Sequence, residues 1–204
     1  MFLSANEIAS EVREGRLRID PFNPDFLKPA SYVLRLGNSW RAWSKADEPI
    51  EVWSERAGES QLGSLFHSDE CVLRIGNVVL GSTMERLRLP NGLVGLVMNL
   101  SHLARFGISV HFQAGLVSPG FGTTVSTALT LELASFNPSP LKLRAGMPVC
   151  HLAIARVAED SDSGNSLARS IYEGREVPCP PMLYEEFKSV TNLDSLPNLL
   201  SREG

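Results

Sequence analysis

The stretch Ala128-Leu129-Thr130-Leu131-Glu132-Leu133-Ala134 alternates without a break. In a strand, successive side chains point to opposite faces, so Leu129, Leu131 and Leu133 share one face and Ala128, Thr130, Glu132 and Ala134 the other. The leucine face reads as core. On the other face a single carboxylate stands among small side chains, which leaves room for something to lie over it. Two readings stay open: an exposed Glu on a half-buried strand, or a sheltered acid whose pKa is raised toward a range useful for proton transfer.

Outward from this stretch, short branched runs recur at 32–36, 71–75, 78–80, 93–98, 108–112, 141–143 and 149–154, separated by Gly, Pro and Asn. This rhythm predicts a mainly β sandwich or barrel. Strands and long helices do not alternate, which argues against a doubly wound α/β sheet. One helix is predicted near the start, where Ser4 and Glu7 are spaced as a capping box and Leu3 and Ile8 as a hydrophobic staple. Ile8, Ala9 and Val12 make its apolar stripe, and Gly15 suits its end. The polar segment 47–64 reads as a long connection. Residues 1–187 are expected to form one domain, with 158–166 an acidic linker and 167–187 an arm that docks. Residues 188–204 follow as a loosely held tail.

The 204 residues carry 19 Lys and Arg against 23 Asp and Glu. A net charge of −4 provides no global field for nucleic acid polymers or anionic membranes. Cys71, Cys150 and Cys179 are too few to pair completely and lack Cys-x-x-Cys spacing, so neither a disulfide framework nor a zinc site is predicted. A reducing, cytoplasmic setting is expected, since no secretory leader or membrane-length apolar run is seen.

A second candidate segment is Asn99-Leu100-Ser101-His102-Leu103-Ala104-Arg105-Phe106-Gly107. One or two helical turns there would put Ser101 and Arg105 on one face, where a guanidinium can fix a hydroxyl or a carboxylate. An Arg at a helix end also caps carbonyls, and that reading stays open. His67, His102, His111 and His151 share no metal-binding spacing. Trp40, Trp43 and Trp53 are too scattered for a stacking platform and read as core or subunit packing.

Taken in order, these motifs resemble the dCTP deaminase branch of the dCTP deaminase and dUTPase superfamily. The resemblance runs through Ile19-Asp20-Pro21-Phe22, then 29–37, Ser101 to Gly107, 110–114 with Ser118-Pro119-Gly120-Phe121, and Leu131-Glu132-Leu133. It continues through 140–147 and, in the arm, Tyr172-Glu173-Gly174-Arg175 and 178–187. It implies a distorted, jelly-roll-like β-barrel, the dUTPase-like β-clip, with a short N-terminal helix and a C-terminal arm. It also implies a homotrimer with sites between subunits. The implied chemistry is hydrolytic deamination of a cytosine nucleotide without zinc, and the chain lacks the His-x-Glu and Pro-Cys-x-x-Cys pattern of zinc deaminases.

By the same resemblance, Glu132 is general base and acid, Ser101 and the carbonyl of Ala114 hold the water, and Arg105 is the supporting cation. Substrate contacts fall to His102, Ser118, Phe121, Tyr172 and Arg175. No cofactor is implied for the chemistry, and magnesium enters only as counter-ion of a polyphosphate.

The chain also departs from the family pattern. Leu100 and Ile171 stand where phosphate-binding Arg and Lys are expected, His102 replaces a Ser, Val33 replaces an Asp and Arg175 replaces a Gln. The hairpin Arg-x-Asp has become Leu116-Val117-Ser118, followed by a short insertion near 123–127. The expectation is therefore deamination with altered phosphate and sugar recognition. An inactive nucleotide-binding or regulatory homologue is the alternative. dUTP pyrophosphatase chemistry is disfavoured further, because a Ser hydroxyl is no base at neutral pH.

Overall fold

The structure, a computed structural model, describes residues 1–111, 114–158, 172 and 174–188. Most of the expected linker, the beginning of the arm with Ile171, and the tail from 189 onward lie outside the described residues.

Helix α1 (Ala5–Arg13) begins as the sequence dictates. The Ser4 side chain accepts from the Glu7 backbone, and a Glu7 carboxylate oxygen accepts from the Ser4 N–H at 2.9 Å. Ile8 is fully buried, and Gly15 takes φ +73° just past the helix. Glu11, on the same helix, is buried too. Arg16 and Arg156 donate to it at 2.6 and 3.1 Å, tying the helix to the last long strand.

Among the described residues, ten strands form one curled sheet. Its main path runs β8 (Ile108–Ser109), β10 (Thr127–Ser135), β6 (Val78–Arg88), β3 (Ser31–Ala42), β12 (Pro148–Arg156), β7 (Leu93–Asn99) and β9 (Leu116–Val117). The short strands β1 (Arg18–Asp20), β2 (Leu27–Lys28) and β4 (Phe66–His67) add to β6 and β3, and β5 (Glu70–Leu73) pairs separately with β11 (Leu141–Arg144). Each pairing between these strands is antiparallel, and Ile75 adds an isolated parallel bridge to Ser135 at the end of β10. This is the mainly β architecture expected, and among the described residues no helix is long and apolar enough to cross a membrane.

The central strands run further than the apolar runs suggested. Gly37-Asn38 read as a turn, yet β3 passes straight through them. At Gly37 a Cβ would lie 2.5 Å from the Ser82 Oγ, so this glycine permits close approach of β6 instead of reversing the chain. Gly81 plays the same part farther along β6, where a Cβ would come within 2.9 Å of Leu133 and 3.2 Å of the Trp40 ring. Trp40 is fully buried there.

The register of β6 slips against both neighbours, between Ala128 and Thr130 on β10 and between Leu36 and Trp40 on β3. Such bulges bend a strand and re-aim its side chains. Thr83 closes this one by accepting from Leu129 N–H at 2.9 Å and donating to the Glu85 carbonyl at 2.7 Å. Glu85 is turned fully inward and accepts from the backbone and the guanidinium of Arg35 at 2.8 and 2.6 Å.

The 47–64 connection loops out after β3 and folds back on it, with Leu62 bridging Trp43. Gly58 presses on the Trp43 ring, where a Cβ would sit 2.6 Å away at φ +74°. The excursion therefore holds an indole in place at the end of β3.

Candidate active site

β10 alternates in burial over its first part: Leu129, Leu131 and Leu133 are buried, Ala128, Thr130 and Glu132 are half-buried, and residues 128–132 line a cavity of about 550 Å³, while Ala134 at the end of the strand is buried as well. Leucines buried this way contribute on the order of 1.5–3 kcal/mol each, enough to hold the register that aims Glu132 at the cavity. Val78 and Leu80 of β6 continue the same wall, and Val97, Leu116 and Val117 form another part of the lining.

Glu132 has no cation paired with it among the described residues. Removal from water disfavours its charged form and pushes its pKa up to about 7, with its own backbone N–H pulling weakly the other way. The exposed-surface reading of this residue does not hold. It is an acid able to hold or release a proton near neutrality.

Ala114, Ser118, Phe121, Tyr172 and Arg175 line the same cavity. They come from the segment before β9, the turn after it, and the arm. Ser118 and Gly120 shape a turn in which the Phe121 N–H donates to the Ser118 carbonyl, and Leu89 N–H donates to the carbonyl of Phe121 at 2.8 Å. The arm is fastened to β10 itself, with Gly174 N–H donating to the Thr127 Oγ at 2.8 Å, and Arg86 pairs with Glu176 at 2.9 Å. Within the arm, Met182 N–H donates to the Tyr172 hydroxyl at 3.0 Å, ahead of a short helix α3 (Leu183–Phe187). Burial raises the Tyr172 pKa, and the charges of Glu186, Cys179 and Glu132 add to it, so this hydroxyl stands within electrostatic reach of the acid.

Ser101, His102 and Arg105 are placed differently. They lie on α2 (Ser101–Arg105), all three exposed, and do not line the cavity within one chain. The one-turn helix brings Ser101 and Arg105 four residues apart, as their spacing predicted. Asn99 locks this excursion, its amide donating to the Ile108 carbonyl at 3.0 Å and its oxygen accepting from Val110 N–H at 3.1 Å. Asn137 donates to the Phe106 carbonyl at 3.1 Å. Asn99 has no role assigned from the sequence; an Asn closing a strand before a short helical turn is the signal that could have given it one.

The cavity also takes residues that sequence reasoning assigned elsewhere. Trp43, read as packing, is part of its wall, as are His111 and Cys179. Cys71, Cys150 and Cys179 are all free thiols. His67 and His151 hydrogen-bond Ser39 and Ser31 at 3.1 and 3.0 Å. Among the described residues no three His, Cys, Asp or Glu side chains converge in a way that would hold a metal ion.

The chain is 33% identical over 190 residues to a dUMP-forming dCTP deaminase of Parafrankia, covering 92% of each chain. To its namesake from Mycolicibacterium vanbaalenii it is 34% identical over 192 residues, covering 92% of this chain and 98% of the relative. The fold resembles that of 2′-deoxycytidine 5′-triphosphate deaminase from Agrobacterium tumefaciens, with a TM-score of 0.59 at 20% identity over 77% of this chain; the match spans 48% of that longer chain. A sequence model of the dCTP deaminase-like family matches residues 2–157, from the bridge at Phe2 to the residue after β12, and the chain belongs to that family.

Proposed function

We propose that this protein deaminates a cytosine nucleotide hydrolytically to the corresponding uracil nucleotide, with Glu132 as the proton-transfer group. One observation carries the reading: a sheltered carboxyl, poised near neutrality, faces a cavity large enough for a nucleotide. The relatives' shared name, dCTP deaminase, supplies the substrate class.

In this reading ionised Glu132 takes a proton from a water oriented by the carbonyl of Ala114 and the hydroxyl of Ser101. The water oxygen bonds to C4 of the ring, and N3 receives the proton. A second proton, relayed through Glu132, goes to the amino group, the C4–N bond breaks, and ammonia leaves behind a C4 carbonyl. Atoms balance as nucleotide plus water giving uracil nucleotide plus ammonia. Arg105 supports the charge, and magnesium accompanies a polyphosphate as its counter-ion.

Because Ser101 and Arg105 stand on an exposed turn away from the cavity, the complete site in this proposal forms between copies of the chain in a homotrimer. Phe106 and Phe136, 58% and 67% exposed on adjacent loops at the end of α2, give that turn an apolar rim suited to burial against another copy.

Ser118 stands where the resemblance expects an Asp, so hydrolysis of the phosphate chain has no base there. The product is expected to keep its phosphates, in contrast to the relatives named dUMP-forming. A panel of dCTP, dCMP, CTP and CMP assayed for ammonia, with chromatography of the product, tests both points. Ammonia with dUTP as product supports the reading. Binding without ammonia across the panel favours a non-catalytic nucleotide-binding homologue, and dUMP with pyrophosphate overturns the assignment at Ser118.

A further inference from the structure

Arg41 lies on β3 opposite Leu80, and Leu80 lies opposite Glu132 on β10, so the three make one row across the sheet. Residues paired in this way share a face, and two strand spacings separate the backbones of Arg41 and Glu132 by about 10 Å. Trp43, two residues further on and just past the end of β3, lines the cavity.

The Arg41 Nε is buried and has no hydrogen-bond partner. Among the described residues no carboxylate pairs with its guanidinium, nor with that of Arg175. The charges of both arginines act on the Cys179 thiol, which lines the cavity on the arm side. Two guanidinium groups without counter-charge, Arg175 in the lining and Arg41 on the sheet beside the lining residues Leu80 and Trp43, thus act on the same thiol of the wall. A buried donor left unpaired is costly, and a charged one more so, unless something else supplies the acceptor.

We propose that Arg41 is a substrate-binding residue whose guanidinium, together with that of Arg175, receives a phosphate group of the nucleotide at the end of the cavity away from Glu132. The proposal rests on the nucleotide-binding reading above and adds a residue that reading does not contain. It also accounts for Leu100 and Ile171: phosphate recognition has moved to a cation on the sheet itself. A planar fork with several donors suits a phosphate better than a single ammonium would.

The test compares calorimetric binding of dCTP and deoxycytidine, which share base and sugar, by the unaltered protein, Arg41→Gln and Arg41→Lys. Loss of charge-assisted phosphate contacts should weaken dCTP by roughly ten- to hundred-fold in Arg41→Gln and less in Arg41→Lys. Deoxycytidine affinity should stay put. Equal losses for both ligands, or none, overturn the proposal.

A second measurement needs no variant and decides the matter if Arg41→Gln does not fold. Iodoacetamide labelling of Cys179, followed by mass spectrometry, should slow with saturating dCTP and not with saturating deoxycytidine; equal protection by the two overturns the proposal. Both readouts report binding alone. A protein that binds dCTP through Arg41 and releases no ammonia ends the deamination reading only, whereas an active protein whose dCTP affinity ignores Arg41 ends this one only.

Discussion

A carboxyl whose pKa rises through burial alone, with no neighbouring anion to share the effect, carries a cost that titrates. Glu132 departs from an ordinary value of 4.5 to about 7. Between those values the folded protein keeps a proton the unfolded chain has released, so stability falls as pH rises through that window. Above pH 7 the full penalty applies, of order 1–3 kcal/mol for a group that is still partly accessible. Glu132→Gln has no charge to desolvate. It should be more stable than the unaltered protein by that amount at pH 8 and nearly equal to it at pH 4 in urea unfolding; parallel pH curves would show that the acid is not sheltered. The same substitution should lower kcat roughly 10²–10⁴-fold while dCTP still binds. With Glu132 as the proposed base, kcat/KM of the unaltered protein should climb with pH to a plateau just above 7, because the base must be ionised to accept the proton of water. Stability and activity thus move in opposite directions on one titration, which ties the cost of burial to its use.

At the level of elements, β3 and β6 are held together by more than their ladder. Fully buried Glu85 satisfies both the backbone N–H and the guanidinium of Arg35. Removing the carboxylate strands a charge and a donor inside, so Glu85→Ala should cost about 3–5 kcal/mol in urea unfolding. Lys142→Ala, which breaks the exposed pair with Glu70, should cost less than about 1 kcal/mol. Losses of similar size would mean that Arg35 finds water or another acceptor. This pair also shows where the sequence stops being readable. The alternation of 128–134 declares β10 and the direction of Glu132, because one buried face specifies register. The Ser4 and Glu7 spacing declares α1 just as directly, since a capping box is local. The apolar run of β6 ends at Leu80, and nothing local announces that the strand continues to Arg88 with Glu85 turned inward at the bulge beside Thr83, because that depends on strands far away in sequence. Arg41 is opaque for the same reason: a strand residue gains meaning from its neighbours across the ladder, and Leu80 and Glu132 lie some 40 and 90 positions away.

For the whole molecule the question is whether one chain holds a complete site. Glu132 faces the cavity of its own chain, whereas Ser101 and Arg105 stand exposed on α2 outside it. If the reacting groups meet across a threefold interface, each site takes its acid from one subunit and its serine and arginine from the next. Glu132→Gln and Ser101→Ala are then inactive for complementary reasons, and a mixture of the two behaves unlike either. After the subunits are exchanged in equal amounts, a site works only when its first subunit carries Ser101→Ala and its neighbour carries Glu132→Gln. Random assembly puts that combination at about a quarter of the sites in a cyclic trimer, so about a quarter of the unaltered activity should return. Mixing without subunit exchange should return nothing, and light scattering should report a trimer throughout. Were Ser101 to reach Glu132 within its own chain, no mixture would recover activity under any conditions of exchange. The recovered fraction therefore measures directly how the site is divided between subunits.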